Sequence, residues 1–292
     1  MFLTKEGLSG PLQLEAAAST EGESGEPEEP ASSDPADHPT NLYRFPALYD
    51  ALKTPSAQDV AVVRTLMHNA LGAGPYSILD PAAGPGNWLR PFCDGSNQLV
   101  GNDYCEPMVR YVQATLGPCG CEARHGDMYD LRIEQTFDVV LEVSGVTSIL
   151  PDVPSLTRIL DHWADRLNPR GLLLLLVNLR EEVPAVLPHT TWEQQGRPLP
   201  TGGTSGVRYE LMEDRPEQGT QLIRRTVTTE GAPGFPSFLQ ETYALRVWTP
   251  QEVHQALAGS THACLEAIAH PDDAEMQNPG WLGERYLVLR RK

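Results

Sequence analysis

Basic residues are scarce in this sequence. Its 292 residues include 22 Lys and Arg against 39 Asp and Glu, which gives a formal net charge of −17. Proteins that bind nucleic acids or anionic membranes depend on lysine and arginine to neutralise phosphate groups. The charge balance therefore argues against both kinds of partner and suits a small neutral or cationic ligand.

Long apolar runs are also missing. The run over 172–177 holds six apolar residues, whereas a helix needs about 20 to cross a bilayer. No signal peptide is apparent, because Lys5 and Glu6 closely follow the first apolar residues. We therefore expect a cytoplasmic protein without a membrane partner.

Cysteines are few, and they do not have the spacing of a metal site. The five cysteines are an odd number, and Cys119 and Cys121 form the closest pair. An odd count without a recognisable ligand pattern is typical of reduced thiols inside the cell. The sequence thus predicts free cysteines and no bound metal.

The first 40 residues differ in composition from the rest of the chain. They hold nine acidic residues and one lysine, and they are rich in Glu, Pro, Ser, Ala and Gly. Such a segment has too few large apolar side chains to offset the entropy of ordering it. We expect a disordered acidic tail over 1–40 and one folded domain over 41–292.

Residues 77–88, Ser-Ile-Leu-Asp-Pro-Ala-Ala-Gly-Pro-Gly-Asn-Trp, are the most informative segment. A short apolar run ends in Asp80 and is followed by a turn of small residues that contains Ala82, Gly84 and Gly86. A strand that ends in a glycine turn lets backbone approach a ligand, because no side chain intervenes. The acid before the turn indicates a ligand that carries a cation at this end.

Two further acids follow in order along the chain. Asp103 ends a second short strand, 103 − 80 = 23 residues after Asp80. An acid at about this spacing is placed to accept hydrogen bonds from ribose hydroxyls. After a third strand, Gly126-Asp127-Met128 resembles the Gly-Asp-Met segment with which class I S-adenosylmethionine-dependent methyltransferases contact adenine. The resemblance implies that Asp127 accepts a hydrogen bond from the exocyclic amine and that Met128 lies against the ring.

This order of motifs resembles that of class I S-adenosylmethionine-dependent methyltransferases. Their first motif commonly reads Asp/Glu-x-Gly-x-Gly-x-Gly, and Ala82 stands here where the first glycine is usual. A nicotinamide motif fits less well, because Leu89 occupies the place of its third glycine. The resemblance covers about 42–292 and implies S-adenosylmethionine as the cofactor. The cofactor site that it implies consists of Tyr49, Asp80, Ala82, Gly84, Gly86, Asp103, Tyr104, Met108, Asp127, Met128 and Glu142.

Short apolar strands alternate with helical patterns from 42 to 180. Residues 137–143 and 172–177 have the composition of buried parallel strands, and apolar side chains recur at helical spacing over 154–167. The order predicts an α/β fold: a Rossmann-like, doubly wound, mostly parallel seven-stranded sheet. Residues 264–268 and 286–289 are predicted to complete the sheet as a hairpin-like pair.

The segment 181–248 is predicted to be an insertion into this fold. Prolines and glycines over 181–206 indicate a loop that acts as a lid. Three strand-like stretches follow at 207–212, 221–229 and 238–248, and they predict an antiparallel substrate-binding sheet. Thr249 to Glu252 form a capping box, which predicts that a helix begins there.

The last predicted strand of the insertion carries polar residues on an otherwise apolar face. Glu241 and Tyr243 alternate with aliphatic residues there. Two interpretations stay open for Glu241: a catalytic acid in a polar site, or a partner of Arg224 or Arg225 on a neighbouring strand.

The segment Glu241-x-Tyr243-x-Leu-x-Val-Trp-Thr also resembles one in small-molecule N-methyltransferases, including amino-sugar N,N-dimethyltransferases and glycine N-methyltransferase-like enzymes. The resemblance implies in-line methyl transfer to a small-molecule amine, with Glu142, Glu241 and Tyr243 as the catalytic candidates. Transfer to oxygen or carbon stays open, with His270 as a base for a hydroxyl acceptor. A non-catalytic protein that binds S-adenosylmethionine also stays open. The expected partner is a small-molecule acceptor, with a homodimer as an option.

Overall fold

A computed structural model describes residues 42–180, 190–272 and 283–292. The acidic tail predicted over 1–40 lies outside the described residues. In the described part of the chain no helix combines the length and the apolar character needed to cross a membrane.

The described strands form two separate sheets. The first is a seven-stranded sheet and the second is a four-stranded sheet. The strands are β1 (Ser77–Asp80), β2 (Gln98–Asp103), β3 (Glu122–His125), β4 (Phe137–Glu142), β5 (Leu167–Leu179), β6 (Thr191–Pro198), β7 (Thr204–Arg215), β8 (Thr220–Glu230), β9 (Phe238–Arg246), β10 (Ala263–Ala269) and β11 (Gly283–Arg291).

The seven-stranded sheet has the order β10-β11-β5-β4-β1-β2-β3. Strands β3, β2, β1, β4 and β5 run parallel, and β11 runs antiparallel to both β5 and β10. This is the predicted Rossmann-like, doubly wound sheet, and its last two strands form the predicted hairpin-like pair. The carboxyl ends of β1, β2 and β4 therefore lie side by side at one edge.

Helices cover both faces of this sheet. They are α2 (Ala57–Leu71) and α3 (Glu106–Thr115) on one face, and α4 (Val153–Ala164) and α5 (Pro250–Gly259) on the other, whereas α1 (Pro46–Lys53) packs on the second sheet. In the run 172–177, alternate residues pack with α4 and α5 on one face and with α2 on the other. Burial on both faces explains why this run is apolar without interruption.

Two helix ends follow from local chemistry. The Thr249 hydroxyl accepts from the Glu252 amide, and the Glu252 carboxylate accepts from the Thr249 amide, so the predicted capping box is confirmed. Helix α4 is shorter than the predicted 154–167 and ends at Ala164, because Leu167 already begins β5.

The second sheet has the order β6-β7-β8-β9 with all neighbours antiparallel, and we call it the cap sheet. The loop predicted over 181–206 is wrong in part, because residues 191–198 and 204–206 are strand. Strand β6 is an edge strand with mostly exposed side chains, so it has the polar, glycine-containing composition of a loop. Residues 181–189 of the predicted lid lie outside the described part.

The cap sheet has a core of its own, which α1 completes. Leu48 and Leu52 of α1 pack with Val207, Ile223 and Leu239 of the cap strands. At the junction of the two sheets, the amide of Arg180 donates to the Trp248 carbonyl at 2.9 Å, and the Trp248 amide donates to the Asn178 carbonyl at 3.0 Å. The chain therefore leaves and re-enters the first sheet at hydrogen-bonded neighbours.

The prediction of free cysteines throughout is wrong at two positions. Cys93 and Cys119 form a disulfide with Cα atoms 5.8 Å apart, while Cys105, Cys121 and Cys264 are free. The two cysteines lie 26 residues apart in sequence, and only the packing of α3 beside the turn after β1 brings them together. Within the described residues no group of three or more His, Cys, Asp or Glu is arranged to hold a metal ion.

Candidate active site

A cavity of about 790 Å³ lies between the carboxyl edge of the parallel strands and the inner face of the cap sheet. Its sheet-edge half is lined by Pro81, Ala82, Gly84, Asp103, Tyr104, Cys105, Met108, Asp127, Met128, Tyr129, Ser144, Gly145, Val146 and Ile149. Its cap half is lined by Tyr43, Tyr49, Lys53, Tyr209, Gln221, Ile223, Arg225, Glu241, Tyr243, Ala244 and Leu245. A cavity of this size can hold a cofactor-sized molecule.

The turn after β1 presents backbone to the cavity. The Ala82 amide donates to Asp80 Oδ1 at 3.1 Å, and Gly84 has a φ of 53°. A Cβ atom on Gly84 would meet only Tyr49 Cε1, at 4.0 Å. Ala82 and Gly84 therefore lie where the sequence predicted, with open space in front of the turn for a ligand.

Gly86 lies on the side of the turn that packs against α3. It does not line the cavity, and a Cβ atom there would lie 2.7 Å from Leu116 Cδ1 and 3.2 Å from Val112 Cγ2. Its φ of 77° also favours glycine. Gly86 thus allows α3 to pack closely on the turn, and it does not contact the ligand space.

Asp103 is the best-positioned acid of the cavity. Its Oδ2 accepts from the Gly84 amide at 2.7 Å, and its Oδ1 accepts from the Cys105 amide at 2.8 Å. Burial raises the pKa of Asp103, although these two amides oppose the rise. Each carboxylate oxygen keeps a second lone pair, so the side chain can still accept from ligand hydroxyls.

The predicted adenine-contacting residues line the same half of the cavity. The Asp127 carboxylate accepts from the Tyr129 amide at 2.8 Å, and the Met128 carbonyl accepts from Trp163 Nε1 at 3.0 Å. Tyr104 is 56% exposed at the rim, and Met108 is buried beneath it on α3. The structure thus brings Asp127, Met128, Tyr104 and Met108 together with Asp103.

Glu142 does not line the cavity and is fully buried, with 0% exposure. Its Oε1 accepts from the Ser144 amide, the Ser144 hydroxyl and the Val146 amide at 3.0, 2.6 and 3.0 Å. The acid therefore holds the turn 144–146, which itself lines the cavity. Glu142 thus lies behind the cavity-lining turn, and its contact with substrate or cofactor stays a prediction.

Asp80 is also buried behind the cavity wall, at 3% exposure, and it does not line the cavity either. Burial, and then the nearby Glu142, raise its pKa well above the usual range. Glu142 Oε2 is buried without a hydrogen-bond partner. Two neighbouring buried acids, one with an orphaned oxygen, fit a site that receives positive charge from a ligand such as an ammonium group.

The cap half is dominated by one ion pair. Arg225 Nε donates to Glu241 Oε1 at 2.6 Å, and Arg225 Nη2 donates to the same oxygen. The guanidinium also lies 5.9 Å from the ring centroid of Tyr43 and 5.2 Å from that of Tyr243. Of the two interpretations of Glu241, the pairing with Arg225 is the one the structure contains, and Glu241 still lines the cavity.

The N-terminal part of the described chain closes the cavity from one side. The rings of Tyr43 and Tyr49 stack with centroids 5.3 Å apart, and both line the cavity. Asp50 instead faces away: its Oδ2 accepts from Arg90 Nη2 at 2.5 Å and from the Tyr111 hydroxyl at 3.0 Å. Asp50 thereby fastens α1 to α3 and to the turn after β1.

Lys53, Tyr209 and Arg225 are cavity residues that the sequence argument did not select. Lys53 Nζ lies 4.7 Å from the centroid of the Tyr209 ring. Tyr209 and Arg225 are directly opposite in the register of β7 and β8. Alternation of apolar and polar residues along β7 and β8 could have placed Tyr209 and Arg225 on the inner face, but no local pattern marks Lys53.

Part of the first sheet lies in a segment that matches a known protein family. Residues 78–171 match the family model described as a methyltransferase domain. This segment contains β1 to β4 and the turns that carry Asp80, Asp103 and Asp127. A search of curated proteins finds no match.

Solved structures share the whole fold at low sequence identity. The sugar N-methyltransferase KedS8 from Streptoalloteichus sp. has a TM-score of 0.65 and 18% identity over 92% of this chain and 100% of its own. The CcbJ methyltransferase from Streptomyces caelestis has a TM-score of 0.61 and 16% identity, over 88% and 97%. The amino pentose methyltransferase CalS10 from Micromonospora echinaspora has a TM-score of 0.60 and 18% identity, over 85% and 96%.

The matched segment is a methyltransferase domain, and the solved structures show that the described chain shares their fold. The chain carries an S-adenosylmethionine-dependent methyltransferase domain, and S-adenosylmethionine is its cofactor. The backbone turn with Asp80 and Glu142 behind it fits the ammonium group of that cofactor, and Asp103 and Asp127, which line the cavity, fit its ribose and adenine.

Proposed function

We propose that this protein transfers a methyl group from S-adenosylmethionine to the nitrogen of a small-molecule amine. One observation carries the proposal: a single cavity joins the acid-lined edge of the parallel sheet to the inner face of the cap sheet. A small acceptor on the cap sheet would then lie against the cofactor. The sugar N-methyltransferase and amino pentose methyltransferase that share the fold are consistent with an amine acceptor.

Individual residues of the cavity would bind different parts of the cofactor. Asp103 would accept from the ribose hydroxyls, Asp127 from the adenine amine, and Met128 would lie against the ring. Asp80 and Glu142 would attract the ammonium group through the backbone turns that cover them. The cofactor, when bound, supplies a sulfonium methyl group, which the acceptor attacks in line.

The hydrogen bonds of the cavity favour nitrogen over oxygen as the acceptor. Among the described lining residues no histidine is present, and His270 lies elsewhere, after β10. Each described cavity acid already accepts a hydrogen bond: Asp103 from amides, Asp127 from an amide and Glu241 from Arg225. A hydroxyl acceptor needs a general base to become nucleophilic, whereas a neutral amine attacks as it is. The cap sheet and the Tyr43–Tyr49 stack then have to orient the amine and exclude water.

The first test is calorimetric titration with S-adenosylmethionine, S-adenosylhomocysteine and NADH. We expect binding of the first two and none of NADH. Asp103→Ala should weaken the binding by about 10–100-fold, since a hydrogen bond to a charged group contributes about 1.5–3 kcal/mol. Asp130→Ala is the matched control, because Asp130 is an exposed acid paired with Arg132. Binding of NADH, or full affinity in Asp103→Ala, would contradict the assignment.

The acceptor atom is tested separately with a panel of amines and phenols, with formation of S-adenosylhomocysteine as the readout. Turnover with amines supports the proposal. Turnover confined to phenols would move the assignment to O-methylation. Cofactor binding with no turnover on any acceptor favours the non-catalytic alternative.

A further inference from the structure

Lys53 is a cation in the cap half of the cavity, and no acid within the described ranges pairs with it. Its ammonium group lies over the ring of Tyr209, with Nζ 4.7 Å from the ring centroid. The other cavity cation, Arg225, is paired with Glu241. The described charged residues of this half are thus two cations and one carboxylate, so one positive charge is left over.

The position of Lys53 is fixed by its backbone. Its carbonyl accepts from Asn87 Nδ2 at 2.6 Å, and Asn87 lies in the turn after β1 with 6% exposure. On the other side, Leu52 is buried in the core of the cap sheet. Lys53 therefore stands at the seam between the two halves, and its ammonium group points to the cap sheet.

The pKa of Tyr209 reflects the two cations near its phenol, Lys53 and Arg225. Burial by itself would raise the pKa of its phenol, but Lys53 and Arg225 outweigh that effect and lower it. Tyr243, on the same face of the cap sheet, has a raised pKa, mainly because of its burial. The two cations beside Tyr209 thus outweigh the effect of burial on its pKa, whereas the Arg225 charge beside Tyr243 does not.

We propose that the acceptor carries an anionic group, a carboxylate or a phosphate, which Lys53 holds in the cap half of the cavity. This rests on the function proposed above and adds a class of substrate: an amine that also bears an acid. The amine would face the cofactor at the acidic sheet edge, and the anion would face Lys53, so the opposite charges of the two halves would orient the molecule. The acidic net charge of the whole chain pointed to neutral or cationic ligands, and this local site reverses that expectation.

The cofactor has an amino-acid carboxylate of its own, so the test has to separate two sources of the anion. Wild type, Lys53→Met and Lys53→Arg are titrated with S-adenosylhomocysteine and with methylthioadenosine, which lacks the amino-acid part. We expect both variants to bind both molecules as the wild type does. A loss in Lys53→Met for S-adenosylhomocysteine but not for methylthioadenosine would assign Lys53 to the cofactor and overturn the proposal.

The acceptor is then tested with matched amines on protein saturated with S-adenosylhomocysteine. Phenylalanine against phenylalaninamide forms the carboxylate arm, and glucosamine 6-phosphate against glucosamine forms the phosphate arm. The proposal expects the anionic member of one arm to bind at least about tenfold tighter, which corresponds to about 1.4 kcal/mol. Lys53→Met should abolish that preference and Lys53→Arg should keep it.

Three outcomes have distinct meanings. No preference for the anion in either arm of the wild type overturns the proposal. A preference that survives in Lys53→Met also overturns it, because the anion is then held elsewhere. If the wild type does not bind S-adenosylhomocysteine, the proposed function fails, and the same titrations on the protein alone still decide whether Lys53 selects anions.

Discussion

At the scale of single residues, identical side chains have opposite properties in this cavity. Tyr209 and Tyr243 lie on the inner face of the same sheet, yet the pKa of one is lowered and that of the other is raised. The difference comes from position: Lys53 stands over Tyr209. A predicted role for a tyrosine therefore depends on cations that belong to other elements.

This contrast can be measured without any substrate. We expect a pH titration of the near-ultraviolet phenolate band to show one tyrosine ionising below the ordinary value of about 10. In Tyr209→Phe that early step should be absent, and in Lys53→Met it should move to higher pH because one stabilising cation is gone. Tyr243→Phe is the control and should leave the early step in place. An early step that persists in Tyr209→Phe would refute the assignment.

Asp80 is expected to lower the stability of the folded protein while it strengthens the binding of the cofactor. The pKa of Asp80 is raised in the fold, so the folded state binds more protons than the unfolded state. The free energy of unfolding therefore falls as the pH rises from about 3.9, the ordinary pKa of aspartate, through the pKa of the folded state. Asp80→Asn removes this loss, and the amide oxygen can still accept from the Ala82 amide. We expect a higher melting temperature at neutral pH together with about tenfold weaker binding of S-adenosylhomocysteine, or about 1.4 kcal/mol.

Methylthioadenosine is the control for Asp80→Asn, because it lacks the ammonium group. Its affinity should not change. If both ligands lose affinity equally, the substitution has damaged the turn, and the electrostatic explanation is wrong.

At the scale of elements, the two glycines of the turn after β1 have different surroundings: Gly84 lines the cavity, and Gly86 packs against α3. Gly84→Ala meets open space, so it costs only the left-handed backbone, about 1–2 kcal/mol. Gly86→Ala adds the clash with Leu116 and Val112 of the buried core, for which overpacking costs about 1–3 kcal/mol more. Urea denaturation should therefore rank Gly86→Ala as the less stable variant.

Binding should rank the two variants in the opposite order. Gly84 lines the cavity and Gly86 does not, so folded Gly84→Ala should lose more cofactor affinity than folded Gly86→Ala. The same rank in both measurements would contradict the separation of roles.

The elements themselves were largely predictable, because each follows from a local pattern. The acids at the ends of β1 and β2 and the capping box at Thr249 lie where the sequence placed them. The burial of Glu142 behind the next turn could not be predicted, because hydrogen bonds to that turn set the direction of its carboxylate. The sequence indicates Arg225 only as a partner of Glu241, and it does not indicate Tyr209 or Lys53, because strand register and the docking of α1 bring the three together. The sequence predicts a loop where the structure has edge strand β6, because exposure removes the apolar alternation.

At the scale of the whole molecule, a buried ion pair joins the two sheets. Arg180 follows β5, and its Nη1 and Nη2 donate to the carboxylate oxygens of Asp214 in β7 at 2.8 and 3.0 Å. Asp214→Asn leaves the buried arginine without its anion, which costs about 3–5 kcal/mol. We expect a much lower urea midpoint. Glu213→Gln, on the same strand but in an exposed pair with Arg215, should leave the midpoint unchanged. Equal effects of the two variants would show that the buried pair does not fasten the sheets.

The junction at Arg180 and Trp248 has a consequence for how such proteins diversify. Because the chain departs and returns at adjacent, hydrogen-bonded residues, the segment between them can be exchanged or rebuilt while the ends stay in register. Strand β11 would still pair with β5, and the cofactor half would keep its geometry. If the cap sheet binds the acceptor as proposed, a new acceptor requires changes only between these two fixed ends, and the part of the chain that binds the methyl donor stays as it is.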